Sequence, residues 1–216
     1  MLEDVLVPVL VSALVGFVGA VIDSLMERWG RQKLPKNVCA EMSETDKAQV
    51  DATKDLMRQC FGEDVVECIK NASNKDRIAM MAEFAERLAR QYGLDIEVDV
   101  TVSNLENCGA YNWKDRKAVF NIAMLMVDGQ NKQFDYCVRE TLDTIIHELR
   151  HAVQHKAVEQ PGFWNVEEER RKSWAVNMAP GNYISPKANI RAYARQPIEK
   201  DAVSFAAMVM GEVASK

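Results

Sequence analysis

All three histidines of the chain fall between positions 147 and 155, inside the stretch DTIIHELRHAVQHK that spans residues 143–156. Apolar residues recur around them at helical spacing. Leu142, Ile145, Ile146, Leu149, Ala152 and Val153 form one stripe, which predicts a long helix from Asp135, its expected N-cap, to about Val158. A stripe of that length has to be buried against other elements, and the histidine-bearing face opposite it is left over a cleft or in solvent.

Within the helix, His147-Glu148-Leu149-Arg150-His151 sets two imidazoles four residues apart, stacked on one face where both reach a single ion. Glu148 lies about 100° around the helix from His147 and points beside such an ion, not at it. A general base sits there to take a proton from water activated by the metal, whose pKa zinc lowers to about 7. A purely structural zinc site has no use for this carboxylate. A chance H-E-x-x-H is expected in roughly one chain in a few hundred of this composition. His155 cannot join the other two, because eight residues of helix carry it about 12 Å further along the axis. Val153 and Gln154 also lack the glycine that would turn the chain back before a third histidine. His155 is therefore expected to be exposed or in an outer role.

A catalytic zinc needs three protein ligands and an open position, so the third must come from another element. The later segment IRAYARQPIEKDAVSFAAMVM offers Glu199 and Asp201 in the first turn of a helix that Pro197 starts and that runs to about Val213. Ile198, Ala202, Phe205 and Val209 form its apolar stripe, and the two acids flank it at similar angles, so periodicity does not choose between them. Acids in a first helical turn are also common as partners of the helix dipole. A buried carboxylate beside a core stripe needs a partner, which a metal supplies.

Other elements place the site in an α+β fold. Asp76–Tyr92 has apolar residues at helical spacing and ends at Gly93, a fitting cap. Leu94–Val102 alternates at period two and predicts a strand, and the following stretch predicts a hairpin turning near Asn112–Arg116 and returning along Ala118–Ile122. Residues 34–75 are expected as a helical linker region, and 159–195, broken by Pro161, Pro180 and Pro186, as irregular. Tyr183 and Tyr193 in that irregular segment are candidates to stabilise an oxyanion, although packing is the commoner role of such tyrosines.

Residues 1–33 form a separate hydrophobic unit with a basic flank. Val5–Ile22 is uncharged and, as a helix, about 27 Å long, close to a bilayer core. Glu3 and Asp4 precede it and Arg28, Arg31, Lys33 and Lys36 follow, an arrangement that places the remainder of the chain in the cytoplasm. Ser12, Gly16, Ala20 and Ser24 fall on one face and suit close helix–helix contact. The expectation is a membrane anchor or an oligomer contact. A net charge of −5 without a basic run argues against a nucleic-acid partner. Five cysteines without a C-x-x-C pair point to reduced, buried thiols.

The order of strand, hairpin, H-E-x-x-H helix and later glutamate-bearing helix resembles the gluzincin branch of zinc metallopeptidases. The run Glu199, Ala202, Phe205, Ala206 is similar to the last-helix motif of ImmA/IrrE-type metallopeptidases, with Val203 where that family has asparagine. The resemblance covers roughly residues 76–213, within a metallopeptidase domain expected over 76–216. It implies a zincin-like fold in which a small antiparallel or mixed sheet packs on the active-site helix. It also implies one Zn2+ held by His147, His151 and Glu199; the helix angles by themselves leave Asp201 as an alternative ligand. Glu148 would be the base and a peptide or protein the substrate, bound along an edge strand expected at Ala118–Ile122. A non-catalytic module of the same fold, anchored by the N-terminal helix, is the competing expectation, and a pore- or oligomer-forming protein the third.

Overall fold

The computed structural model describes residues 42–103 and 108–211. The expected helix at Val5–Ile22, and the cysteine at position 39, lie outside the described residues. Within them, three helices come first: α1 (Glu44–Phe61), α2 (Val65–Asn71) and α3 (Asn74–Gln91). Ser43 opens α1 with a capping box closed by Asp46, and Ser73 caps α3 by accepting from the Asp76 N–H at 3.2 Å. Gly93, at φ +69°, turns the chain out of α3.

Strands β1 (Glu97–Thr101), β2 (Gly109–Asn112) and β3 (Lys117–Asn121) follow. Their order in space is β1-β3-β2, with β1 parallel and β2 antiparallel to β3. The strand expected at the edge, Ala118–Ile122, is therefore the central one. The physical reason is a pairing between segments apart in sequence: β1, beyond the hairpin, adds in parallel to the side of β3 that β2 leaves open, while Ala118, Phe120 and Ile122 are buried. The Glu97 N–H donates to the Arg116 carbonyl and the Ile122 N–H to the Thr101 carbonyl, which closes the β1 side at both ends. The free edge next to the helices belongs to β2.

After a 3₁₀ turn at Ala123–Met126, the long helix α4 runs from Phe134 to Glu159. Asp135 lies inside its first turn and Gln133 holds the cap position. Helix α5 (Glu168–Met178), the single turn α6 (Ile190–Tyr193) and α7 (Pro197–Met210) complete the described chain. Helix α5 occupies part of a segment expected to be irregular. Only Trp174 and Asn177 of its residues are buried, so it carries no apolar stripe that periodicity could reveal.

The main core draws on α1 to α4, the sheet and α7, and a smaller cluster of Ala157, Trp174 and Ile198 lies apart from it. The α4 stripe of Leu142, Ile145, Ile146, Leu149 and Val153 meets Phe205, Ala206 and Val209 of α7 and Met81, Phe84 and Leu88 of α3. Val50, Leu56, Met57 and Phe61 of α1 join the same cluster, so the helices within 34–75 share the core of residues 76–210. Among the described residues no helix is long and apolar enough to cross a membrane.

Candidate metal centre

Helices α4 and α7 bring three side chains to one point. His147 and His151, one turn apart on α4, have their Nε2 atoms 3.0 Å apart. Glu199 Oε2, arriving from the first turn of α7, is 3.5 Å from each of those nitrogens. The three ligand atoms lie within 4.8 Å of one another, a group able to hold a metal ion. The Glu199 side chain is 2 % exposed, and its Oε2 is buried without a hydrogen-bond partner. An orphaned carboxylate oxygen facing two imidazole nitrogens is a donor set that suits a divalent cation taking nitrogen and oxygen ligands.

Charge coupling within the group is strong. Burial alone would raise the Glu199 carboxyl, but the two imidazoles outweigh it and hold it well below the usual carboxylate range. Burial likewise disfavours the charged form of His151, yet the Glu199 carboxylate, with help from Glu148, lifts it to about 9. The protein has gathered negative charge around an imidazole, the arrangement that a cation would complete.

Asp201, the other acid of that first turn, faces elsewhere. Two residues rotate a helix by about 200°, and its carboxylate meets Arg150 at 2.8 and 3.1 Å together with Arg170. Arg150 Nη2 also donates to Asp46 at 2.7 Å, and Arg170 Nη1 donates to the same acid at 2.5 Å. Two acids and two arginines thus form a buried network joining α1, α4, α5 and α7. Arg150 lies over the rings of Phe205, Trp164 and Trp174, at 4.6, 5.3 and 5.6 Å from their centroids.

Glu148 stands beside the group, as the helix angle requires. Its Oε2 accepts the Tyr111 backbone N–H of β2 at 2.9 Å. The strand can come this close because residue 109 is glycine: a Cβ there would sit 2.6 Å from Thr144 Cγ2 and 3.3 Å from Glu148 Cγ. Strand parity explains why the Tyr111 N–H is available. The Asn121 N–H donates to the Cys108 carbonyl, so residues 108, 110 and 112 bond to β3 while the main-chain groups of 109 and 111 face outward.

The two tyrosines also reach the site. Tyr183 donates its hydroxyl to Glu199 Oε1 at 3.1 Å, and Tyr193 packs edge-on to it with ring centroids 6.3 Å apart. Burial first, and then the Glu199 carboxylate, raise both phenols above their ordinary value, so both hydroxyls stay protonated. His155 lies away from the group. It packs against Trp113 and Tyr111, with ring centroids 5.5 and 6.3 Å away, and its Nδ1 is 3.7 Å from Glu159.

Main-chain Tyr111, Gly109, Arg150 and Gln154 have places at or around the site that periodicity did not point to. Of these, only Arg150 stood within a recognised motif. Comparison of the chain with protein-family models, curated proteins and solved structures gave no match.

Proposed function

We propose that this chain is a zinc-dependent peptidase, similar in kind to the gluzincins, that hydrolyses peptide bonds with metal-activated water. The reading is carried by the convergence of His147, His151 and Glu199 on a buried carboxylate oxygen that no hydrogen bond satisfies. A zinc ion held by these three residues would supply Lewis acidity and lower the pKa of a water to about 7. Glu148, oriented by the Tyr111 N–H, takes the proton of the attacking water and passes it to the leaving amine. Tyr183, whose one hydroxyl proton rests on Glu199 Oε1 at 3.1 Å, would give up that bond and turn the proton to the developing oxyanion, with Tyr193 behind it. The outward main-chain groups of Gly109 and the carbonyl of Tyr111, whose N–H is held by Glu148, offer an extended peptide an edge to pair with. This β2 edge takes the role first expected of Ala118–Ile122.

Purified full-length chain is expected to carry one zinc, lost in His147→Ala. Glu148→Gln should keep the zinc and lower peptide cleavage by about 10²- to 10⁴-fold. A wild-type chain without zinc and indifferent to chelator would overturn the reading. Zinc bound without cleavage of any member of a peptide library would point to a non-catalytic module instead. A cytoplasmic site tethered through Val5–Ile22 is proposed from the sequence pattern. Recovery of the full chain in the soluble fraction, like a form lacking residues 1–30, would count against that tether.

A further inference from the structure

Gln154 is fully buried on α4, one turn beyond the second histidine, and every polar atom of its amide is engaged. Its Nε2 donates to the Ile198 carbonyl at 2.9 Å and to Asp201 Oδ2 at 2.7 Å. Its Oε1 is 2.8 Å from His151 Nδ1. A backbone carbonyl and a carboxylate accept hydrogen bonds and cannot donate them, so the amide nitrogen has to face them and the oxygen has to face the imidazole. An acceptor at Nδ1 requires a proton there. The other nitrogen, Nε2, is then the one left to bind a metal, and it is the one aimed at His147 Nε2 and Glu199 Oε2.

The same amide holds both sides of the site. Ile198 is the residue before Glu199, so Gln154 ties the ring of one ligand to the main chain that carries another. Asp201 is itself fixed by Arg150 and Arg170. Guanidinium N–H groups donate to both of its oxygens, so it faces Gln154 as an acceptor, which keeps the amide from turning over.

We propose that Gln154 is a positioning residue for the metal centre: it selects the His151 tautomer that presents Nε2 and holds Glu199 opposite it, its own orientation dictated by the Arg150–Asp201 pair. The inference rests on the metal-centre reading above. A hydrogen-bond partner of this type on a metal-bound histidine changes affinity by about 10- to 100-fold.

The test uses the full chain, with zinc affinity measured by competition against a chromophoric chelator. Gln154→Met is expected to weaken zinc binding by about 10- to 100-fold while still taking one zinc at saturation. Asn177→Leu is the control for a merely structural loss. Asn177 is also buried and hydrogen-bonded to the start of α7, through the Ile198 N–H and Gln196, but does not touch His151; its affinity should match wild type. Ring-nitrogen NMR of zinc-loaded wild type is expected to show His151 with Nδ1 protonated and Nε2 bound to metal, an observation that needs no variant to fold. Gln154→Met binding zinc as tightly as wild type, Asn177→Leu weakening it equally, or Nδ1 as the metallated nitrogen would each overturn the inference while leaving the metal centre standing. A wild-type chain that binds no zinc would overturn both.

Discussion

Replacing Arg150 with methionine tests the part of the molecule that aligns α4 with α7. The guanidinium is 0 % exposed and is shared between Asp201, in two hydrogen bonds, and Asp46. Removing one partner from a buried ion pair costs about 3–5 kcal/mol, because the remaining charge is left desolvated and unpaired. Arg170 stays bonded to both acids, and a methionine still fills the space between Phe205, Trp164 and Trp174. The lower end, about 3 kcal/mol, is therefore expected. At about 2–4 °C per kcal/mol for a chain of this size, Tm should fall by roughly 6–12 °C. Urea unfolding at a series of pH values adds a second readout. Burial would raise the Asp46 carboxyl, but Arg150 and Arg170 hold it at about 2, below its ordinary 3.8. Its folded pKa is depressed, so its stabilisation is complete above about 4 and is lost as pH falls towards about 2. In Arg150→Met the folded value moves back towards the ordinary one, and that acid-side slope flattens. A loss below about 1 kcal/mol at pH 7, or an unchanged slope between pH 4 and 2, would refute a network in which Arg150 carries the pairing.

Gly109→Ala forces a Cβ to within 2.6 Å of Thr144 Cγ2 and should cost about 1–3 kcal/mol by chemical denaturation. Adding Thr144→Ala should recover part of it, and an unperturbed single variant would show that β2 is not held as close to α4 as described. Glu140 supplies a pH effect of opposite sign. Burial, and then the Asp143 carboxylate, raise it to about 7 from 4.5, so the folded state holds a proton that the unfolded state releases between those values. Stability is therefore lost as pH rises through that window. Glu140→Gln should stabilise by an amount on the order of 2 kcal/mol at pH 8 and change little at pH 4; equal effects at the two pH values would remove burial as the cause.

Where local periodicity decides structure, the sequence was informative. The α4 stripe, the α3 stripe ending at Gly93 and the hairpin turning after Asn112 are each written in residues close together along the chain. Features set by distant partners were not legible. Helix α5 has too few buried residues to show a stripe. β3 looked like an edge strand because its parallel neighbour β1 precedes it by a whole hairpin, and nothing local marks that pairing. Glu199 and Asp201 flank their stripe symmetrically, so the choice between them depends on what faces each side. Gly109 and Gln154 are unremarkable in sequence; what they do depends on Thr144, Glu148 and His151, which only the fold brings to them.

That symmetry is broken by the second residue pair of the same seam. Arg150 sits inside the H-E-x-x-H sequence, pointing away from the histidines, and it captures Asp201 with two hydrogen bonds. Once Asp201 is bound on that side, the rotation of α7 about its axis is set, and Glu199, about 200° back around the helix, has to face His147 and His151. A purely apolar seam could let the short first turn of α7 rotate and offer either carboxylate. The buried ion pair gives direction to a helix that hydrophobic packing alone leaves ambiguous. The same pentapeptide thus contributes both the ligands of the candidate metal centre and the residue that chooses the third.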